Sequence, residues 1–151
     1  MKLKIELCDD VTETEVIIKC LQMTDEVKRI EKTIRSSMDC GITLRRDNTE
    51  YYLPLDNILF FETDKGAVRA HTCEESFEVP EKLYELENTL PMQFIRVSKS
   101  AILNVNHVYS VERNIASASL VKFADTHKRI YISRSYYKNF KSRILERRAV
   151  K

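Results

Sequence analysis

Apolar and polar residues alternate at the start of the chain. Leu3, Ile5 and Leu7 are separated by charged residues, which predicts a half-buried strand over residues 2–7. The run at residues 15–20 is short and apolar and predicts a second strand. The chain therefore opens with two β-type segments that an acidic loop separates.

The next segment has helical spacing. Val27, Ile30 and Ile34 recur on one face, which predicts an amphipathic helix over residues 25–37. Thr24 is a suitable N-cap, and Cys40-Gly41 closes the segment. We expect residues 1–40 to form a strand-strand-helix leader.

From residue 41 onward short β-type runs alternate with turns, and Asp47-Asn48 and Asp64-Lys65-Gly66 predict hairpins. Pro80 is expected to open a helix that Pro91 ends, and a last helix is expected from about Arg134. The predicted class is mainly β with peripheral helices (α+β), with a second unit over residues 41–148. The strands are predicted at residues 42–46, 50–53, 58–62, 67–73, 76–79, 108–112, 115–123 and 128–133.

The distribution of charge along the chain is more informative about function than the overall composition. The 151 residues fit one domain with a small appendage, and the net charge is only +2. Residues 1–26 hold seven acids and three bases, whereas residues 127–151 hold nine bases and one acid. The basic end favours a polyanionic partner, although a solvated helix gives the same pattern.

The sequence favours no catalytic chemistry. There are only two glycines, so no glycine-rich phosphate loop exists, and the three histidines lack zinc-ligand spacing. The four cysteines are scattered, which is typical of reduced thiols in a cytoplasmic protein. We therefore expect that the protein is not an enzyme and that it binds no cofactor, metal or small-molecule substrate. The opening Ile5-Glu-Leu-Cys-Asp-Asp10 resembles a receiver domain, but β-rich sequence follows after one helix.

Polar residues interrupt an apolar run at residues 94–104, Phe-Ile-Arg-Val-Ser-Lys-Ser-Ala-Ile-Leu-Asn. This block resembles the signature of LytTR-type DNA-binding domains. Three other blocks occur in the family's order, at residues 53–62, 83–90 and 132–138. The chain is therefore similar to the stand-alone, response-regulator-like bacterial members of that family.

The resemblance implies an elongated β fold of small sheets whose loops enter successive major grooves of double-stranded DNA. It implies a cytoplasmic transcriptional regulator, a homodimer on repeated half-sites and, more weakly, a regulatory membrane protein as partner. Arg and Lys side chains donate to guanine or to phosphate. The DNA-binding residues implied are Lys65, Arg96, Ser98, Lys99, Asn104, Arg134, Tyr137 and Lys138.

Several of these residues have simpler interpretations. Arg96 and Lys99 could be surface charges beside a strand, Tyr137 could be core, and Asn104 fits a structural role. Ser100 is interpreted as the N-cap of a helix over residues 101–103. Ser98 stands where many members carry histidine, and residues 124–127 replace a frequent Asn-Gly turn. The alternative function is a protein-interaction or sensor module that has lost DNA binding; the operator, signal and sign of regulation are not encoded in these motifs.

Overall fold

The computed structural model describes residues 1–10, 15–38 and 42–149. The first regular element is α1 (Asp25–Met38), which confirms the predicted leader helix. The hydroxyl oxygen of Thr24 accepts from the N–H of Val27 at 3.3 Å, so Thr24 caps the helix as expected. The closing residues Cys40 and Gly41 lie outside the described residues.

The two leader strands are not formed, and that prediction was wrong. Residues 2–7 and 15–20 have no strand structure, and Leu3, Ile5 and Leu7 are 90%, 80% and 97% exposed. Alternation fixes which side chains share a face, but a strand also needs a neighbour for its backbone hydrogen bonds. Within the part of the chain that the structure describes, these segments pair with no strand.

Among the residues that the structure describes, ten strands form two antiparallel sheets. The larger sheet has seven strands in the order β2-β1-β5-β4-β3-β7-β6. Both predicted hairpins are confirmed, with Asp47, Lys65 and Gly66 at positive φ in the turns. The strands of this sheet are β1 (Ile42–Arg46), β2 (Thr49–Leu53), β3 (Phe60–Asp64), β4 (Ala67–His71), β5 (Ser76–Val79), β6 (Phe94–Ser98) and β7 (Ala101–Asn104).

The smaller sheet has the order β10-β9-β8, with β8 (Val108–Glu112), β9 (Ser119–Phe123) and β10 (Arg129–Ile132). Short 3₁₀ turns cover Leu55–Asn57 and Val105–His107. The last helix, α3 (Arg134–Ala149), begins where it was predicted. Among the described helices, none has the length and apolar character needed to cross a bilayer.

The middle helix begins later than Pro80 suggested. It is α2 (Leu83–Thr89), with Lys82 at the N-cap, and the N–H of Lys82 donates to the carboxylate of Glu85 at 3.0 Å. A side chain that satisfies a free N–H fixes the start of a helix better than a proline three residues earlier. Leu83 and Leu86 are buried on the inner face of this helix.

The larger sheet has a core on each of its two faces. Phe61 and Ile102 pack into one cluster with α2, and Phe60 and Leu103 pack into the other with α3 and the smaller sheet. Every residue of β7 is buried, which explains why residues 101–104 show no alternation. The interpretation of Ser100 as a helix N-cap was therefore wrong, because the segment that follows is a strand.

Candidate nucleic-acid interface

The turn between β6 and β7 is held from inside by Arg96. Its guanidinium donates to the carbonyl oxygens of Ser98 at 2.7 Å and Lys99 at 2.5 Å, and it contacts the carboxylate of Glu87 at 2.9 Å. The Arg96 side chain is only 17% exposed. Because its donors already have partners, Arg96 is placed to shape the turn rather than to reach outward.

The two serines also stabilise this turn. The Ser98 hydroxyl oxygen accepts from the N–H of Ser100 at 3.2 Å, and the carbonyl of Ser100 accepts from the N–H of Thr63 on β3 at 2.9 Å. Lys99 therefore lies at the apex of a turn fixed on both sides, and it is exposed. Within the described residues, its ammonium group has no hydrogen-bond or ion-pair partner.

The β3–β4 turn lies at the same end of the sheet. Since β3 runs antiparallel to β7, with Glu62 opposite Ala101, the end of β3 lies beside the β6–β7 turn. Lys65 is exposed, with φ of 50° in the left-handed region, and Gly66 follows with φ of 80°. A side chain at position 66 has open space around it, so the backbone angle is what favours glycine there.

The start of α3 reaches this end as well. The N–H of Ser133 donates to the carbonyl of Val97 on β6 at 2.9 Å, one residue before the β6–β7 turn begins. Arg134 and Lys138 are exposed and lie four residues apart, on the same face of the helix. No acidic residue occupies the first turn of this helix. Its free N–H groups and its positive dipole end therefore favour an anion here.

Tyr137 is half-buried between the helix and the neighbouring loop. Its ring lies 6.2 Å from the ring of Phe140, and the guanidinium of Arg113 stacks over it at 4.7 Å from the centroid. The tyrosine packs against the second core, which agrees with the interpretation of Tyr137 as a core residue.

Arg113 was not among the residues that the sequence singled out. It opens the β8–β9 loop, and the pairing of Ser119 with Ile132 places that loop beside the start of α3. In the sequence, Arg113 could have been recognised as a cation that directly follows the predicted strand at residues 108–112.

We call residues 65–66, 98–100, 113–118 and 134–138 the contact end. Its exposed or stacked cations are Lys65, Lys99, Arg113, Arg134 and Lys138.

Asn104 does not lie at the contact end. Its side chain is fully buried, its amide donates to the carbonyl of Ile58 at 3.1 Å, and its oxygen accepts from the N–H of Asn106 at 3.0 Å. Both polar ends are therefore used inside the protein. In this conformation Asn104 cannot contact DNA, and its place on the list of DNA-binding residues gives way to a structural role.

A separate group of titratable residues lies on the neighbouring strands β3 and β4. Nε2 of His71 lies 2.9 Å from a carboxylate oxygen of Glu62, although neither ring nitrogen makes a hydrogen bond of good geometry. Burial, helped by Lys128 and Arg69, lowers the pKa of His71 to about 4. Burial also raises the pKa of Glu62. Within the described residues, no cluster of three His, Cys, Asp or Glu side chains could hold a metal ion.

The fold is β-rich, and the turns at one end of its larger sheet carry exposed cations. The LytTr DNA-binding domain family matches residues 48–145. This chain belongs to that family and is a DNA-binding transcriptional regulator.

Full-length relatives and a solved structure are consistent with this assignment. A protein from Staphylococcus aureus strain COL is 30% identical over 146 residues, covering 95% of this chain and 98% of the relative. One from a bovine strain is 31% identical over 149 residues, with the same coverage. Both are named as uncharacterized HTH-type transcriptional regulators. In the part of this chain that the structure describes, however, strands separate each helix from the next.

The solved structure is a LytTr DNA-binding domain of a response regulator from Bacillus cereus. It superimposes with a TM-score of 0.64 at 24% identity, covering 70% of this chain and 96% of that domain. At this identity the likeness concerns the fold, and it agrees with the mainly β class with peripheral helices that the sequence predicted.

Proposed function

We propose that the contact end reads specific sequences in double-stranded DNA, with Lys99 and Arg134 in the major groove. The observation that carries this proposal is the convergence of two turns and a helix start on one end of the sheet. Arg96 holds the central turn, so the backbone at Lys99 is already ordered and loses little conformational entropy on binding. An interaction group that is ordered in advance costs less entropy when it binds.

The remaining contacts divide by their chemistry. Lys65 and Lys138 are long flexible cations, and Arg113 is a guanidinium that stacks over Tyr137. All three suit phosphates, which position the protein without reading sequence. The hydroxyl of Ser98 is used within the turn, and Tyr137 supports the helix from behind. We assign Arg96 to positioning, not to base contact.

We further propose that the regulator acts as a homodimer on repeated half-sites in the cytoplasm and has no enzymatic activity. One contact end presents few side chains, and two copies on one duplex multiply both affinity and specificity. The resemblance to stand-alone regulators also implies a regulatory membrane protein as a partner.

The test is selection of bound sequences from a random duplex pool, followed by fluorescence anisotropy titration of the selected duplex and a scrambled one. A specific regulator should bind the selected duplex roughly 1,000-fold or more tightly, within the usual range of specific over non-specific binding. Equal, salt-sensitive binding to both duplexes would contradict sequence reading. Absence of DNA binding, together with capture of a defined protein partner, would favour the interaction-module alternative.

A further inference from the structure

The leader carries apolar side chains that the described monomer leaves in solvent. Leu3, Ile5 and Leu7 are at least 80% exposed, and no described residue before Ile42 belongs to either core cluster. Exposed apolar residues are ordinary when they are scattered, but here they fall on one face of an alternating segment. This pattern indicates a strand that lacks its partner.

The larger sheet ends in a strand that lacks a partner as well. β2 is hydrogen-bonded to β1 on one side only and stands at the edge of the sheet. It contains no lysine, proline or bulge of the kind that usually protects an edge. Alternate residues of β2 therefore point their backbone N–H and C=O groups away from β1, where the described structure places no further strand.

The two segments match in their alternation and in their charge. On β2, Tyr51 and Leu53 face the core while Glu50 and Tyr52 face solvent. A leader strand beside β2 would place Leu3, Ile5 and Leu7 next to the apolar pair. It would place Lys2, Lys4 and Glu6 on the side of Glu50. Two bases and one acid leave this face net positive, and opposite charges on neighbouring strands stabilise pairing.

We propose that residues 2–7 of a second copy of this chain add to the edge of β2, giving a strand-exchanged homodimer. Main-chain hydrogen bonds supply affinity in this mode, and alternate side chains supply register. The chain's own leader stays exposed in the described structure. Residues 2–7 pair with no described strand of their own chain, and the 14-residue α1 lies between them and β1 in the sequence. A segment that stays unpaired in its own chain is available for exchange with a second copy.

The first test is the mass of the full chain in solution without DNA, measured by light scattering after gel filtration. We expect twice the 17.7 kDa of one chain. Ile5→Asp places a charge on the apolar face and should give the monomer mass. Glu6→Gln, on the opposite face of the same segment, should keep the dimer. Neither residue lies in a core cluster, so both variants should stay folded, and the melting temperature of Ile5→Asp should fall only by the contribution of the lost dimer contact. A dimer that survives Ile5→Asp would overturn the proposal.

Amide hydrogen exchange then identifies the surface. We expect slow exchange at residues 2–7 and 49–53 in the wild type and fast exchange at both in Ile5→Asp. Protection of residues 2–7 in a monomer would mean that the leader folds onto its own β2. Protection at residues 98–100 and 134–138 in place of β2 would mean that the leader covers the contact end. Either result overturns strand exchange.

This dimer does not require DNA binding, so its failure is separable from failure of the proposed function. If the strand-exchanged dimer and the proposed DNA-binding function are both correct, Ile5→Asp should bind a single half-site as the wild type does. It should lose roughly 100-fold or more on a duplex with two half-sites, the range that linked binding sites supply. Loss on the single half-site as well would place the leader in the DNA contact and contradict the proposal.

Discussion

The carboxylate of Glu87 on α2 lies 2.9 Å from the guanidinium of Arg96 on β6. The same guanidinium holds the carbonyls of Ser98 and Lys99. A helix on one face of the sheet is thus joined to the turn that presents the candidate base-reading lysine. The arrangement resembles the support that an interior hydrogen-bond network gives to a binding loop.

This relationship predicts the outcome of Glu87→Gln. If Arg96 positions the turn, loss of the carboxylate should loosen the turn and weaken DNA binding, by about 0.5–1 kcal/mol for a partly exposed pair. If Arg96 reads DNA directly, freeing its guanidinium should leave binding equal or tighter. Anisotropy titration of the selected duplex decides between them. Arg96→Lys keeps the charge but loses the planar guanidinium that contacts the turn carbonyls and Glu87. It should therefore weaken binding if Arg96 positions the turn.

Lys99 and Lys65 should differ in what their loss does to specificity. Lys99→Ala should cost roughly 1–3 kcal/mol on the selected duplex and much less on scrambled DNA, because it reads a base. Lys65→Ala should weaken binding to both duplexes equally and lower the slope of log affinity against log salt by about one. Lys122→Ala is the matched control, since Lys122 is exposed on β9 away from the contact end. An equal loss for Lys99→Ala on both duplexes would reduce Lys99 to a phosphate contact.

The sequence predicted those parts of the fold that depend on residues close to one another in the sequence. The hairpins at Asp47-Asn48 and Lys65-Gly66 follow from turn chemistry, and α1 and α3 follow from helical spacing. Strand 2–7 was predicted from the same alternation but is not formed, because alternation specifies a face and not a partner. The helix assigned to residues 101–103 failed because a strand buried on both faces loses its period of two.

The candidate site was predictable in its residues but not in their roles. Lys65, Lys99 and Arg134 were named from motifs and lie at one end of the sheet. The partners of Arg96 and the burial of Asn104 depend on contacts with residues far away in the sequence, Glu87 on α2 and Ile58 before β3 among them. Arg113 was overlooked because its position beside α3 follows from sheet pairing, which a single sequence does not reveal.

The stability of the fold should depend on pH through His71. Its pKa in the folded state, about 4, lies below the value near 6.5 expected when unfolded. The unfolded chain therefore binds the additional proton first, and stability should fall as pH drops from about 6.5 towards 4. Glu62, whose pKa is raised, acts in the opposite direction as pH falls through its own range.

Urea unfolding at pH 7.5 and pH 5 measures this effect. His71→Gln should lose less stability between the two pH values than the wild type does, because the residue that must stay neutral is gone. Substitution of the exposed His127 by Gln provides the comparison. If His71→Gln keeps the full pH dependence, the loss belongs to other groups and the burial of His71 does not control it.

Asn104 should matter for stability and not for DNA contact. Asn104→Ala leaves the carbonyl of buried Ile58 without a partner, whereas water can reach the N–H of the exposed Asn106. An unsatisfied buried group costs about 1–3 kcal/mol, and we expect the free energy of unfolding to fall by roughly that amount. Asn106→Ala removes an exposed side chain but keeps the main-chain N–H, so it should change stability little. At a temperature where the Asn104→Ala variant is still folded, its affinity for the selected duplex should match the wild type. A stable variant with lost affinity would restore Asn104 to the DNA interface, through a conformation in which its side chain leaves the core.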